Sequence, residues 1–309
     1  MGRGWSILFA VTMLACGISF AAAPLMGMWL PEGVSTHSGD VDFLFYVILI
    51  ITGFFFILTE AILVVFMYQY AGQPGQRSGQ AAPKKSFWAS LLRPVTGVLN
   101  TQHRVEMAWT VVPAAILLYI AFAQVSTWAN VKYQSRMATY MEGRTPIQIE
   151  VSARQFEWRV RYPSYERTKE WLAKKVDMKS DVDFTSFAKV PHQDDVHLVN
   201  EVHTFKGQPV LVQLKTIDVL HSFNLPHMRV KQDALPGKTI PVWFTATKTN
   251  TKKKGERWED EQIWEIACAE LCGWGHYRMI GRVYVHETEA DFLDWLRYAE
   301  QEDHRKAPK

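Results

Sequence analysis

Two stretches of this chain can be stable only out of water. Phe43 to Tyr68 holds a single charged residue, Glu60, and Ala108 to Ala129 holds none. About 20 apolar residues cross a bilayer's hydrocarbon core as a helix, in which the backbone satisfies its own hydrogen bonds. Both stretches are therefore expected to be transmembrane helices, forming a hairpin over residues 43–129. A third apolar run, Trp5 to Leu30, holds no charge and follows Arg3. Residues 1–30 thus suit either a signal peptide or a further membrane segment. Met13-Leu14-Ala15-Cys16 and Ala21-Ala22-Ala23 each match a cleavage site imperfectly, the second because Pro24 follows it.

Charge in the loops sets an orientation. The connection 69–105 carries Arg77, Lys84, Lys85, Arg93 and Arg104, with no acid before Glu106. Glu32, Asp40 and Asp42 precede the first confident helix without a base beside them. The positive-inside rule then puts 69–105 in the cytoplasm and the long C-terminal part outside a bacterial cytoplasmic membrane. The formal charge of the whole chain is only +3, which by itself selects no partner.

Beyond Ala129 the chain is polar and alternates in short bursts. Ile147 to Val151, Val196 to Val202, Pro209 to Leu214, Ile240 to Thr245, Ile263 to Ala267 and Ile280 to Val285 read as strands. Turn signals such as Lys206-Gly207 and Leu235-Pro236-Gly237 separate them. This pattern predicts a small antiparallel β-sandwich or barrel over 147–288. Phe292, Leu293, Trp295, Leu296 and Ala299 then recur at helical spacing, predicting a C-terminal helix and tail over 289–309. Tyr165 to Val190 is rich in charges of both signs and reads as a solvated excursion, and Lys252-Lys253-Lys254 as a loop tip. No internal repeat or nucleic-acid motif is present, so nucleic acid is not an expected partner.

Within this domain, Cys268 to Met279 collects Cys268, Cys272, His276 and Met279 in twelve residues. Thiolate and imidazole suit copper or zinc, and a thioether argues for copper. Two thiolates four residues apart can bridge two copper ions. A second imidazole is expected from His221, at the end of the strand that begins near Val210. A structural zinc site or a disulfide would leave Met279 unused. His192, His197, His203, His227 and His286 read as surface or structural histidines. There is no C-x-x-C-H, so no covalently attached haem is expected on this chain.

The run Cys268 to Met279, with Asp218 to Phe223, Asp233 to Gly237 and His103 to Pro113, resembles subunit II of haem–copper cytochrome c oxidases. The resemblance extends over about residues 40 to 290. It implies a Greek-key cupredoxin domain holding a dinuclear copper centre. In that arrangement His221 and Met279 serve one copper, and His276 and the Glu270 carbonyl the other. It also implies Mg²⁺ or Mn²⁺ on the Glu270 side chain, at a junction with a haem-containing catalytic subunit. Glu106 resembles the carboxylate at the mouth of a proton-uptake path. Electrons would come from cytochrome c and pass to haem for reduction of O2 to water with proton pumping.

The run Gln155-Phe156-Glu157-Trp158 stands where many relatives have Gln-Trp-Tyr-Trp, making Phe156 and Trp158 candidates for docking the donor. Residues beyond 129 carry 28 basic and 26 acidic side chains, so a basic donor would need a local acidic patch. Glu256, Glu259, Asp260, Glu261 and Glu265 just before the copper run are candidates for one. The rival functions are the copper subunit of a nitric-oxide reductase and a non-catalytic exported metal-binding protein. Both thiolates disfavour a quinol oxidase subunit, and the membrane helices a soluble nitrous-oxide reductase.

Overall fold

The computed structural model describes residues 3–69, 102–133, 144–174, 186–255 and 257–306. They form two units, residues 1–29 with 44–125 and residues 30–43 with 126–309. The first unit is helical, built from α1 (Arg3–Ala22), α2 (Ser38–Gln69) and α3 (Gln102–Lys132). All three helices are long and apolar enough to cross a membrane. Ser6, Ile7 and Ala10 of α1 line one cleft with Val64, Val65 and Tyr68 of α2. The N-terminal run is thus a third helix paired with the second. The expected cytoplasmic loop lies, from residue 70 to 101, outside the described residues.

The second unit is a β-sandwich. Its strands are β1 (Ile147–Arg154), β2 (Glu157–Tyr162), β3 (Val196–Val199), β4 (Glu201–Phe205), β5 (Pro209–Thr216) and β6 (His221–Leu225). They continue as β7 (Val230–Ala234), β8 (Ile240–Thr245), β9 (Thr251–Lys254), β10 (Arg257–Asp260), β11 (Trp264–Cys268) and β12 (Ile280–His286). One sheet runs β3-β2-β1-β5-β8 and the other β4-β12-β11-β6-β7, with β9 and β10 a separate hairpin. Ile149, Val151 and Val212 from the first sheet and Phe223, Ile266 and Val283 from the second enter one core. Alternation along each strand produces this by sending every other side chain inward.

The expected antiparallel β-sandwich includes two parallel pairs. β1 runs parallel to β5, and β12 parallel to β4. Val196 to Val202 is also not one strand. Asn200 takes a positive φ of 62° and divides it, sending β3 to one sheet and β4 to the other. Asparagine tolerates that conformation because its short polar side chain can bond locally. Here its Oδ1 accepts the Trp158 N–H at 2.8 Å, and its own N–H reaches the Trp158 carbonyl at 2.7 Å.

The excursion after Tyr162 is not merely solvated either. It forms α4 (Tyr165–Ala173) and a helical turn, Ser186–Lys189. The Phe187 carbonyl accepts from Arg161, and the Ala188 N–H donates to Gln213. Beneath them Arg161, 6% exposed in its side chain, pairs with Glu150 at 2.6 Å and with Asp195. Arg167 also bonds Asp195, and Lys215 bonds Glu150. Three cations thus compensate two buried carboxylates, the condition under which buried charge is tolerated. Lys252 to Lys254, expected as a loop tip, are strand residues of β9.

The β-unit reaches further back than residue 147. Val34 is fully buried, its N–H bonded to the His227 carbonyl and its carbonyl to the Thr247 N–H, both at 2.8 Å. Arg229 ties Asp42 and the Pro31 carbonyl to the same edge. At the far end lies α5 (Glu289–Lys306), opened by the Thr288 hydroxyl, which accepts the Asp291 N–H. It buries Phe292, Trp295, Leu296 and Ala299, the face its spacing predicts.

Under this helix His203 is sandwiched between Trp295, 3.7 Å between centroids, and Tyr284 at 4.3 Å. Its Nδ1 lies 3.1 Å from His286 Nε2. Burial pushes His203 well below its ordinary value and His286 down to about 3. Between that value and the unfolded value near 6.5, the unfolded chain holds more protons, so stability rises with pH there. The β-unit is expected to keep its full stability above pH 6.5 and to lose it steadily toward pH 3. Each ring contributes a slope of up to about 1.4 kcal/mol per pH unit. Thermal unfolding of the full chain in detergent, followed by near-ultraviolet dichroism, tests this. His286→Phe should flatten the profile, and an unchanged profile would acquit the pair.

Candidate metal centre

The ligand run is a loop held between neighbouring strands. β11 ends on Cys268 and β12 starts one residue after Met279. The Cys268 N–H donates to the Met279 carbonyl at 3.1 Å and closes the loop at its base. Next to it, the Ala269 N–H bonds the Ser222 carbonyl at 3.0 Å, which ties the loop to β6. His221 is the first residue of that strand, so it opens a strand of its own and does not end the one from Val210.

Five side chains converge. The sulfurs of Cys268 and Cys272 lie 3.9 Å apart. His221 Nδ1 is 3.8 Å from the Cys268 sulfur, and His276 Nδ1 is 3.6 Å from the Cys272 sulfur. Met279 Sδ lies 3.9 Å from the Cys272 sulfur. Such separations are those of ligand atoms on a shared ion with bonds of roughly 2.0–2.3 Å. His221, Cys268 and Cys272 alone bring three donor atoms within 4.8 Å of one another. Met279 and His221 are fully buried, Cys272 is 4% exposed and Cys268 half-buried. A buried cluster of thiol, imidazole and thioether has the soft-donor chemistry of a copper site.

Electrostatics favours one thiolate before the other. Burial works against ionisation of Cys268, but bonds from His221 and from the backbone of Ser222 and Glu270 outweigh it and bring the thiol down to about 6. Burial and the neighbouring Cys268 charge push Cys272 up to about 11. A metal cation is the natural counter-charge for the second thiolate.

Asp218 aims His221. Its Oδ1 meets His221 Nε2 at 2.8 Å, leaving Nδ1 facing the sulfurs. Its Oδ2 accepts the Gln155 N–H at 2.7 Å. Gln155 in turn donates through Nε2 to the Cys272 carbonyl at 2.5 Å. The Asp218 carboxylate therefore links His221 to the β1–β2 turn, and the Gln155 amide links that turn to the loop. Sequence reasoning gave Asp218 and Gln155 no role. The signal was the spacing of three from Asp218 to His221, inside a turn.

Phe156 packs under the loop. A Cβ on Gly275 would lie 2.5 Å from its ring, so only glycine fits there. Phe156 is half-buried and is in ring contact with Trp274 at 5.2 Å. Trp158, expected to dock a donor, is fully buried against Phe223 and His221 and has no surface to offer. That expectation is corrected, because β2 alternation turns Trp158 inward. Glu270 presents its carbonyl 3.2 Å from the Cys268 sulfur and leaves its side chain exposed. Glu106 lies on α3, in the helical unit.

The sandwich and this cluster define a cupredoxin-like domain with a site for a soft metal, carried on apolar helices. Residues 147–283 match the family model of the cytochrome c oxidase subunit II periplasmic domain. The alternative cytochrome c oxidase subunit 2 of Bradyrhizobium diazoefficiens is 25% identical over 292 residues, 93% of this chain and 90% of that protein. The cytochrome c oxidase subunit 2 of Thermostichus vulcanus is 26% identical, over 95% of this chain and 84% of its own length. The crystal structure of the periplasmic domain of subunit II of the Bradyrhizobium japonicum cytochrome oxidase is 22% identical. It covers 52% of this chain and 97% of that one, at a TM-score of 0.36. Over residues 147–283 the β-unit is thus of the cytochrome c oxidase subunit II type.

Asp218→Ala should free the His221 ring. Copper affinity of the full chain is expected to fall roughly 10–100-fold, the usual effect of losing a residue that orients a ligand. The dichroism of the β-sheet should stay intact. Unchanged copper uptake would mean that packing alone aims His221.

Proposed function

We propose that this chain is the electron-input subunit of a respiratory cytochrome c oxidase. It accepts electrons from a c-type cytochrome at a dinuclear copper centre and relays them to haem in a catalytic partner, where O2 is reduced to water with proton pumping. The observation that carries the reading is the pairing within the cluster. Each cysteine has its own imidazole neighbour, His221 for Cys268 and His276 for Cys272, while both sulfurs lie together.

Two thiolate-bridged coppers held there would take up and release single electrons with little change of geometry. The residues of the chain set the conditions for that. Asp218 holds the proton of His221 at Nε2 and keeps Nδ1 free as a donor. Met279 and Cys272 are buried, which keeps water away from two of the three sulfurs. The β11–β12 ladder and the Cys268–Met279 backbone bond fix the ligand positions before and after transfer. Residues fixed by packing and bonding need little rearrangement, so the electron meets a low barrier.

The copper-loaded full chain is expected to bind two coppers and to turn purple when half-oxidised, its unpaired electron shared by both ions. Metal analysis with EPR tests this. One copper per chain, or an electron localised on a single ion, would sink the dinuclear reading. Cys272→Ser should abolish the shared-electron signal, since a hydroxyl is a poor soft bridge.

The orientation places the β-unit outside and the basic 69–105 connection inside. In support, Val34 before α2 and Asp42 in its first turns bond to the β-unit that follows α3, so these two helix ends share one side. Protease added to intact spheroplasts should cut the β-unit and spare that connection. Cutting of the connection alone would reverse the orientation.

A further inference from the structure

Asn200 stands where the chain leaves one sheet for the other. Val199, before it, pairs with Arg159 of β2, and Glu201, after it, pairs with Arg282 of β12. The register of β2 and β3 sets Asn200 opposite Trp158. Its N–H donates to the Trp158 carbonyl at 2.7 Å, as an antiparallel ladder requires. The return bond is different. The Trp158 N–H donates at 2.8 Å to Asn200 Oδ1, a side-chain oxygen in the place of the ladder carbonyl. The left-handed conformation, with a φ of 62°, turns the Asn200 carbonyl toward the second sheet, where it accepts the Arg282 N–H at 2.8 Å. One residue thus completes the edge of β2 and holds the start of β12.

Both attachments lie next to ligands. Trp158 is fully buried and leans edge-on on His221, 6.3 Å between centroids, and on Phe223 of the same strand at 5.2 Å. β12 begins one residue after Met279, and a Cβ on Gly281 would lie 2.6 Å from the Asn200 carbonyl oxygen. Gly281 also pairs with Ile266 on β11, two residues before Cys268. The wall behind His221 and the strand behind Met279 are therefore referred to a single residue. This double bond pattern needs a short side chain with an acceptor oxygen that tolerates the left-handed region, which means Asn or Asp. Glycine adopts the conformation and lacks the oxygen.

We propose that Asn200 is a positioning residue of the metal centre. By lending its side-chain oxygen to the β2 ladder, it fixes Trp158, and through that ring His221, relative to Met279. It acts through Trp158 on one side and through β12 on the other, so its loss loosens two ligands that lie far apart in the chain. Residues that orient ligands from outside govern how firmly a site holds its metal. This inference rests on the reading of the cluster as a copper centre.

The test uses the full chain in detergent, copper-free and copper-loaded, with Asn200→Gly and Asn200→Asp. Leu296→Ala is the control, since it opens a cavity under α5 and costs more stability than one lost hydrogen bond. In the copper-free chain, the His221 Nε2 proton held by Asp218 should give a sheltered imidazole signal by NMR, identified by its loss in Asp218→Ala. That signal should stay sharp in Asn200→Asp and in Leu296→Ala, and broaden in Asn200→Gly. Copper release to a chelator should be roughly tenfold faster from Asn200→Gly and parent-like from the other two. The hyperfine pattern of the copper EPR signal should change in Asn200→Gly alone. A parent-like ring signal and copper release in Asn200→Gly would overturn the proposal. So would an Asn200→Asp variant that behaves as Asn200→Gly does, or a Leu296→Ala variant that loses copper as fast. Absence of a shared-electron EPR signal in the parent would instead remove the copper reading, and the His221 signal would still decide the role of Asn200.

Discussion

The domain's chemistry depends on one backbone bond, from the Cys268 N–H to the Met279 carbonyl. It joins the two ends of the loop, Cys268 and Met279, while the Ala269 N–H bond to the Ser222 carbonyl ties the same end to β6. β11 and β12 are paired below it, so the loop departs from a ladder that is already rigid. The thiol and thioether ends of the ligand set are thereby fixed by the sheet. Only the middle of the loop, Leu271 to Tyr277, must be positioned by other means.

Those means come from the β1–β2 turn. Gln155 holds the Cys272 carbonyl, and Phe156 fills the space that two glycines leave open. Gly273 has a φ of 131°, which favours glycine, and Gly275 would collide with Phe156 if it carried a side chain. Asp218 connects the same turn to His221. An imidazole from one sheet strand and a thiol from a loop are thus held to a common reference. This is preorganisation, in which the cost of ordering the ligands is met during folding.

Away from the site, the sandwich solves two problems of buried polarity. The Arg161, Glu150 and Asp195 network lets the excursion after Tyr162 lie on a sheet face rich in polar side chains. The His203 and His286 rings occupy an aromatic stack under α5, where only neutral imidazoles are stable. The first arrangement holds while its charges are paired, and the second while its protons stay away.

Much of this was legible in the chain alone. The apolar runs determine the helices long enough to cross a membrane, because no folded interior of this size could hide them and a bilayer can. Spacing in Cys268 to Met279 marks the candidate ligands, and alternation determines most strands. Tertiary structure decided what depends on contact between distant segments. Sequence periodicity has no sign for parallel pairing, so β1 with β5 and β4 with β12 appeared only in the fold. Trp158 and Trp274 are the same residue type in aromatic-rich runs, yet one is fully buried and the other lies in solvent. Strand alternation turned the first inward, and a loop between glycines turned the second out. The role of Asp218 belongs to the same class, since a carboxylate orients a ring only where the backbone places it within bonding distance.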